Sequence, residues 1–385
     1  MNVRSTLVGL VAGLSLMACA KDPATEAPAE IVPQLTFGAY PKFQRSPRFV
    51  ATASNAAAGN EILYFPRNAD GTLGGRLAYP TGGTGTGNGL GNQSGVALDA
   101  YAEHLYVVNA GSNTISVFGI YRTGLALEQT IASGGEQPIS IALSDELLYV
   151  LNDGGTANIS GFRVRRDGQL VPLANSTRGL TVAAPDAAQI GFNRSERRLI
   201  VTEKATNNIV TFRLDRSDRP EAPIVTPSNG ATPFGFYVDE RGGEVIVSEA
   251  FGGAANAAAV STYRLRRGAA ETISRSVPTH ESAACWIAIS GDGKFAYTSN
   301  TGSGTITGFT LSRGGRLTIL DANGITATTG AGPIDLATHD GVDFLYSLDG
   351  QGGQISMFHI ANDGSLEKLG VVPGIPAGAN GLVTF

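Results

Sequence analysis

A short alternating pattern of polar and apolar residues, ending in an aromatic residue, recurs seven times along the chain. Typical copies are Thr114–Phe118 (TISVF) and Gln354–Phe358 (QISMF). Apolar residues at alternate positions indicate β-strands, and a period of this length indicates a repeat architecture. The aromatic residues lie 44 to 53 positions apart, at Phe65, Phe118, Phe162, Phe212, Tyr263, Phe309 and Phe358.

Two further predicted strands precede each copy except the first, which has only one before it, and another predicted strand follows each copy. An apolar segment such as 105–109 (LYVVN) or 199–203 (LIVTE) comes directly before the copy, and another, such as 94–98, comes before that. Hairpin signals such as Asp167-Gly168 lead to a short outer strand. Four antiparallel strands per repeat predict an all-β chain folded as a seven-bladed β-propeller.

The first repeat lacks a predicted strand before residue 50. The chain ends with 381–385 (GLVTF), which is similar to the inner-strand segment 95–98 (GVAL). We therefore expect the C-terminal strand to join the N-terminal blade and close the ring, so that no sheet edge is left open.

Composition narrows the class of protein. Glycine is abundant, at 51 of 385 residues, as expected for many tight turns. The formal net charge of −5 argues against binding to nucleic acid, and two cysteines cannot form a disulfide framework.

The N-terminus is typical of an exported protein. A basic start and an apolar run end at 16–19 (LMAC), which resembles a bacterial lipobox with Cys19 as the lipidated residue. Cleavage of an ordinary secretory signal nearby is the alternative. The predicted domains are a leader at 1–18, a lipidated tether at 19–47 and the propeller at 48–385. We expect a monomer anchored by lipid to the outer membrane of a Gram-negative bacterium.

A polar residue that can accept a hydrogen bond ends each second strand. Because these seven ends share one face of a propeller, we expect them around a channel mouth. Glu203 and Glu249 are candidate catalytic bases, and with Asp349 they are candidate ligands for a divalent cation such as Ca²⁺. Lys204 is a counter-charge or electrophile. The alternative is that these residues only cap strand ends. The seven are Asn55, Asn109, Asn152, Glu203, Glu249, Asn300 and Asp349.

The starts of the inner strands add candidates for the same mouth. Trp286, the only tryptophan, is a stacking wall or ordinary packing, and Cys285 is expected to be an inert buried thiol. His280 is the one histidine placed near the mouth and is either a further catalytic candidate or a solvated loop residue. The glycine run 82–91 does not fit a dinucleotide-binding fingerprint and is interpreted as a flexible loop between blades. Further candidates to bind substrate, besides Trp286, Asn109, Asn152 and Asn300, are Gln189, Phe234 and Asp335.

Several segments resemble the lactonase family of seven-bladed propellers, which includes 6-phosphogluconolactonase-like and carboxymuconate-cyclase-like proteins. They include 188–192 (AQIGF), 202–207 (TEKATN), 231–236 (ATPFGF), 248–253 (SEAFGG) and 284–286 (ACW). The resemblance runs from about residue 48 to 385. It implies hydrolysis of a lactone or a cycloisomerase reaction on a small carbohydrate-like substrate.

Two functions remain in competition. Histidine and arginine, which better-known members carry at the starts of their inner strands, are absent from the corresponding positions here, such as Gln189 and Trp286. The acidic mouth and the family resemblance favour one hypothesis, an extracytoplasmic hydrolase of lactones or related cyclic esters, whereas the missing histidine and arginine and the lipid tether favour its alternative. The alternative is a non-catalytic propeller lipoprotein that binds a ligand or a protein.

Overall fold

The computed structural model describes residues 48–339 and 341–385. The predicted leader at 1–18, the tether at 19–47 and lipidation at Cys19 lie outside these residues and stay predictions. Among the described residues, no helix is long and apolar enough to cross a membrane.

Seven antiparallel sheets, each built on four strands, form the propeller, as predicted. The inner strands of blades 1 to 7 are Asn380–Thr384, Val96–Leu98, Glu136–Leu143, Ala187–Phe192, Pro233–Val238, Ala284–Ile289 and Pro333–Thr338. The second strands, in the same order, are Phe49–Ala53, His104–Asn109, Leu147–Gly154, Arg198–Glu203, Glu244–Glu249, Phe295–Asn300 and Phe344–Asp349.

The third strands contain the repeated aromatic pattern, and the outer strands form the edge of each blade. The third strands are Glu61–Pro66, Thr114–Tyr121, Asn158–Val164, Asn208–Leu214, Ala259–Arg266, Thr305–Leu311 and Gln354–Ile360. The outer strands are Leu77–Pro80, Gly124–Ala132, Leu170–Pro172, Pro220–Pro227, Ala269–Pro278, Leu317–Ile319 and Leu366–Pro373. Blades 3 and 6 add the short strands Arg178–Gly179 and Ala327–Thr328, and a 3₁₀ turn spans Phe251–Gly253.

The ring closes through the C-terminal strand. Asn380–Thr384 pairs antiparallel with Phe49–Ala53, with Val50 opposite Thr384 and Thr52 opposite Leu382. The inner strand of each blade also packs against the inner strand of the next, and this series of contacts returns to its start after seven blades. The predicted closure of blade 1 by both ends of the propeller is confirmed.

The hydrophobic core lies in the seams between blades. One cluster, for example, combines Tyr106 and Val117 of blade 2 with Ile141 and Leu148 of blade 3. The seven repeated aromatic residues are all buried in such seams. Since each sheet buries both faces against its neighbours, the alternating apolar residues of both faces contribute to stability.

Hydrogen bonds donated by side-chain hydroxyls also cross six of the seven seams. They lie at one end of the propeller, opposite the end at which the inner strands begin. In each case the hydroxyl donates to a backbone carbonyl in the turn between the third and outer strands of the next blade. The pairs are Tyr106–Gly168 (3.0 Å), Tyr149–Asp218 (2.6 Å), Thr211–Gly268 (2.7 Å), Thr262–Gly315 (2.5 Å), Tyr297–Gly364 (2.9 Å) and Tyr346–Gly71 (2.8 Å). We call these bonds the seam bonds. Tyr346–Gly71 joins blade 7 to blade 1.

Candidate functional site

The seven polar residues that end the second strands do lie at the predicted face, but their side chains are buried in the blades. Glu203 accepts hydrogen bonds from the Thr181 amide (3.0 Å) and from the hydroxyls of Thr181 and Thr206. Glu249 accepts from the Gly230 amide (2.9 Å) and the Ser276 hydroxyl (2.7 Å). Both glutamates are fully buried. We therefore correct their assignment as bases lining an open mouth.

The other members of this set have the same structural role. Asp349 accepts from the Gly330 amide (2.8 Å) and the Ser356 hydroxyl (2.6 Å). Asn109, Asn152 and Asn300 donate to hydroxyls of the following third strand, and Asn55 bonds to the loop at 86–88. These contacts fit the capping alternative weighed from the sequence, although Asn152 Oδ1 and Asn300 Oδ1 are buried without a hydrogen-bond partner among the described residues. Substrate binding by the three asparagines stays a prediction.

The three carboxylates do not form one metal site. Glu203, Glu249 and Asp349 lie in separate hydrogen-bond networks on blades 4, 5 and 7. Across residues 48–339 and 341–385, no three His, Cys, Asp or Glu side chains are grouped to hold a metal ion. The prediction of a divalent cation bound by these residues therefore finds no support in the geometry.

The side chain of the residue that follows each of these buried acceptors points in the opposite direction. Side chains alternate along a strand, so a shift of one residue reverses the side to which they point. At this position most blades carry a small residue, such as Ala110, Ala250 or Gly350. Blades 3 and 4 instead carry Asp153 and Lys204. These two neighbouring blades therefore concentrate the charge at the channel mouth.

Lys204 is the centre of this charged cluster. Its ammonium donates to the Gly91 carbonyl at 2.6 Å, lies 3.0 Å from Asp186 Oδ1 and sits 4.8 Å from the centroid of the Phe234 ring. The Lys204 side chain is 8% exposed, whereas that of Asp186 is 63% exposed. An ion pair with such an exposed partner contributes little to stability. The ammonium is thus held at the mouth by a weak ion pair, a carbonyl and an aromatic face.

Asp153 is the acid of the cluster. It is half-buried, and its Oδ1 accepts a hydrogen bond from the Ala187 amide at 2.9 Å. Burial raises the pKa of Asp153, although the Ala187 amide and the Lys204 ammonium oppose the shift. A carboxyl group with a raised pKa beside a cation is typical of acid–base chemistry. Neither Asp153 nor Asp186 was singled out from the sequence; the available signal was the charged residue one position after the strand-end acceptor.

Phe234 and Trp286 form an aromatic wall next to Lys204. Their ring centroids are 4.9 Å apart at an interplanar angle of 56°. Cys285, the neighbour of Trp286, is buried, and burial raises the pKa of its thiol to about 12. The thiol is therefore protonated at neutral pH, as the sequence interpretation of an inert cysteine requires.

Equivalent positions on the inner strands join the blades around the axis. The Ser140 hydroxyl accepts from the Ile190 amide of the next blade (3.1 Å), and Gln189 Oε1 accepts from the Phe236 amide (2.6 Å). Asp335 bonds in the same way to the Leu382 amide of blade 1. Gln189 and Asp335, predicted to bind substrate, are thus both buried residues that link blades.

Gly235 has no side chain to make this bond, and the glycine-rich loop supplies one instead. A Cβ atom at Gly235 would lie 2.0 Å from Gln93 Oε1. Gln93 accepts from the Ile287 amide of blade 6 (3.3 Å) and donates to the Ile287 carbonyl (2.8 Å). Its own amide donates to the Ala188 carbonyl of blade 4 at 3.1 Å. The loop is therefore more than a connection between blades 1 and 2.

Asn92, the residue before Gln93, holds the loop against further blades. Its side chain donates to the Ile139 carbonyl of blade 3 and accepts from Asn380 of blade 1. Its carbonyl accepts from the Trp286 indole at 2.7 Å. Contacts with blades 1, 3, 4 and 6 place residues 91–94 on the propeller axis. We call residues 91–94 the plug.

His280, the remaining catalytic candidate, lies outside this cluster. It is exposed in the loop between the outer strand of blade 5 and the inner strand of blade 6, with a left-handed backbone φ of 61°. The site therefore consists of Asp153, Asp186, Lys204 and the aromatic wall, with the plug as its floor.

Fold and site together define a seven-bladed β-propeller with a charged, aromatic mouth above a plugged channel. The family model for the lactonase seven-bladed β-propeller matches residues 249–381, from the end of the second strand of blade 5 to the start of the closing strand. This match confirms, over that part of the chain, the resemblance found in the sequence, and the chain has a lactonase-like propeller fold.

Solved structures support the same fold. The periplasmic gluconolactonase of Pseudomonas aeruginosa is 16% identical, with a TM-score of 0.68, and the match covers 87% of this chain and 99% of that one. A Bacteroides fragilis structure named "putative 6-phosphogluconolactonase" is 17% identical, with a TM-score of 0.67, over 90% of this chain and 100% of that one. No functionally curated protein matches the sequence significantly. At these identities the likeness establishes the fold alone.

Proposed function

We propose that this propeller hydrolyses a lactone, or a related cyclic ester, at its channel mouth. The observation that carries the proposal is Asp153, a half-buried acid whose raised pKa is partly offset by the Lys204 ammonium of the next blade, together with the aromatic ring beside that ammonium. The names of structural neighbours such as the gluconolactonase of Pseudomonas aeruginosa point to the same substrate class.

The chemistry assigns one role to each charged group. Asp153 accepts a proton from a water molecule, whose oxygen attacks the lactone carbonyl carbon. Lys204 stabilises the negative charge that develops on the carbonyl oxygen. The bond between the acyl carbon and the ring oxygen then breaks, and protonated Asp153 returns its proton to the leaving oxygen. The product is a hydroxy acid.

The site also accounts for substrate orientation. Phe234 and Trp286 are 8% and 4% exposed, so a sugar-like ring reaches their apolar faces once the plug above them is displaced. Asp186 holds Lys204 through an exposed ion pair, so the ammonium can exchange this partner for a substrate oxygen. Asp186 is thus a positioning residue for Lys204.

The test is hydrolysis of a panel of γ- and δ-lactones by the purified chain, followed at constant pH. For the best substrate, Asp153→Asn and Lys204→Met each lower kcat/KM by about 100-fold or more, as expected for loss of a general base or of an oxyanion donor. His280→Ala, on an exposed loop of the same face, is the matched control and leaves the rate unchanged. If no lactone is opened, or if Asp153→Asn retains full activity, the proposed reaction is wrong.

The alternative is a propeller that binds a small ligand without turnover. The absence of histidine and arginine from inner-strand positions such as Gln189 and Trp286 favours it, since better-known members carry those residues there. Calorimetry with a lactone and with its hydrolysis product separates the two functions. A binding protein leaves the lactone intact beyond its spontaneous hydrolysis and binds it with a stable heat signal.

We also propose that the chain is anchored to the outer membrane through lipid on Cys19. The support is the lipobox-like sequence 16–19 and the tether that follows it. Fractionation of expressing cells should place the wild-type chain with membranes and Cys19→Ala in the soluble fraction. Equal distribution of the two would contradict the anchor.

A further inference from the structure

The plug occupies the floor of the mouth through main-chain atoms rather than through bulky side chains. The chain approaches the axis through exposed glycines, of which Gly87 has a left-handed φ of 76° and Gly89 has open space around its Cβ position. It then turns inward, so that Asn92 and Gln93 are buried. Because a glycine-rich segment leads to these buried residues, the whole segment can move away from the axis as one unit.

Two consecutive carbonyls of this segment meet the two strongest hydrogen-bond donors of the site. The Lys204 ammonium of blade 4 donates to the Gly91 carbonyl at 2.6 Å. The Trp286 indole of blade 6 donates to the Asn92 carbonyl at 2.7 Å. A pair of oxygens is therefore held between a cation, an indole N–H and the Phe234 ring.

We propose that the plug is displaceable and that its two carbonyls hold the place of ligand oxygens. A carboxylate, or the carbonyl and ring oxygens of a lactone, would replace Gly91 and Asn92 at Lys204 and Trp286. This inference rests on the proposed function, because it concerns the same mouth. It adds the ligand class, a compact ring or chain with two adjacent acceptor oxygens, and a closed state that precedes binding.

The closed state is favoured without ligand for a physical reason. An indole N–H left buried and unpaired is unfavourable, as is a desolvated ammonium that has lost an acceptor. The plug supplies both acceptors and is fastened by Gln93. A ligand that supplies them instead, with a formal negative charge at Lys204, forms the stronger charge-assisted bond. Binding and opening are therefore coupled.

Two substitutions should open the plug by different means. Gly235→Ala places a Cβ atom 2.0 Å from Gln93 Oε1 and 2.7 Å from the Cys285 carbonyl oxygen, whereas Gln93→Ala removes the anchor without adding bulk and so acts on the plug alone. Gly314→Ala is the matched control, because nothing lies within 4 Å of its Cβ position. Trp286 is the only tryptophan, so its fluorescence reports directly on the plug. We expect acrylamide quenching to rise severalfold in both opened variants and to stay at the wild-type value in the control.

Ligand binding is tested with gluconate and glucose on the full chain, and Trp286 fluorescence again reports binding. Gluconate should bind about tenfold more tightly to the opened variants than to the wild-type chain, because these variants no longer have to leave a dominant closed state. Glucose lacks a carboxylate, so its affinity should not increase in this way. In the wild-type chain, saturating gluconate should speed hydrogen exchange at the amides of residues 89–93. This measurement needs no variant and therefore remains informative if a substitution prevents folding.

The outcomes separate this inference from the proposed reaction. Plug opening by gluconate without hydrolysis of any lactone supports the displaceable plug and rejects the enzyme. Hydrolysis with unchanged exchange at residues 89–93 supports the enzyme and overturns the plug. Unchanged quenching in folded Gly235→Ala and Gln93→Ala also overturns it, because the segment is then a permanent floor.

Discussion

The interactions that cross the seams between blades differ between the two ends of the propeller. At the end opposite the mouth, the seam bonds repeat nearly unchanged around the ring, with a tyrosine or threonine hydroxyl on a turn carbonyl. On the inner strands nearer the mouth, equivalent positions hold unlike residues, namely Ser140, Gln189, Gly235, Trp286 and Asp335. The first set repeats one interaction, whereas the second departs from the repeat in almost every blade.

This difference separates stability from chemistry. A repeated bond stabilises every seam alike and leaves no blade special. The departures create the asymmetry that a site needs: Gly235 admits the plug, Trp286 gives the wall, and Asp153 and Lys204 occur on only two adjacent blades. The following predictions test whether the two kinds of seam can be distinguished by experiment.

The largest effect is expected from opening the ring. Deletion of residues 380–385 removes the inner strand of blade 1 and its pairing with Phe49–Ala53. Most of the free energy of unfolding, typically about 5–15 kcal/mol for a domain, should be lost. Urea unfolding followed by circular dichroism measures it, with Leu382→Ala as a milder change at about 2–4 kcal/mol. A truncated chain with the wild-type midpoint would show that closure is dispensable.

Alkaline pH should weaken the four seam bonds that tyrosines donate and leave the two threonine bonds unaffected. Burial raises the pKa of Tyr106, Tyr149, Tyr297 and Tyr346 above 10, so the folded chain keeps protons that the unfolded chain loses. Their contribution is complete below pH 10 and falls as the pH rises toward the folded pKa, by about 1.4 kcal/mol per pH unit for each tyrosine. Urea unfolding between pH 9 and pH 11 measures the slope. Tyr346→Phe should make it shallower, and an unchanged slope would contradict the assignment.

Asp335 on the inner strand of blade 7 should make the free energy of unfolding depend on pH in the acidic to neutral range. Burial raises the pKa of Asp335 well above its ordinary value, against its bonds to the amides of Leu336 and Leu382. Its stabilising contribution is therefore present below about pH 4 and is lost as the pH rises through the folded pKa. The difference in unfolding free energy between wild type and Asp335→Asn should fall by up to about 1.4 kcal/mol per pH unit in that window. A difference independent of pH from 4 to 8 would show that Asp335 stays ionised.

The smallest effect compares two seam bonds with each other. Tyr346→Phe at the closing seam and Tyr297→Phe at an interior seam each leave a turn carbonyl without its hydroxyl donor. Each should cost about 1–2 kcal/mol at neutral pH, and the two values should agree if the seams are equivalent. Thermal unfolding of both variants beside the wild type is sufficient. A much larger loss for Tyr346→Phe would make the closing seam the weak point of the ring.

Much of the fold could be read from the sequence because it depends on local periodicity. Alternating apolar residues fix which face of each strand is buried, and seven copies at similar spacing fix the number of blades. The similarity between 381–385 and 95–98 even located the closing strand, since equivalent blades bury equivalent side chains. These properties are carried by each repeat or by its likeness to the others.

The site depended on relations between distant residues, which only the tertiary structure decided. The sequence located the correct strand ends and named Lys204, but it took Glu203 and Glu249 as the bases, each one position too early in the chain to face the cluster. The direction of each side chain is set by the pleat within the assembled ring. The role of the plug was also hidden, because a glycine run carries no periodicity. It became visible only where Gln93 fills the space left by Gly235, more than 100 residues away in the chain. Local patterns thus determined the blades, and the packing of unlike blades around one axis determined the chemistry.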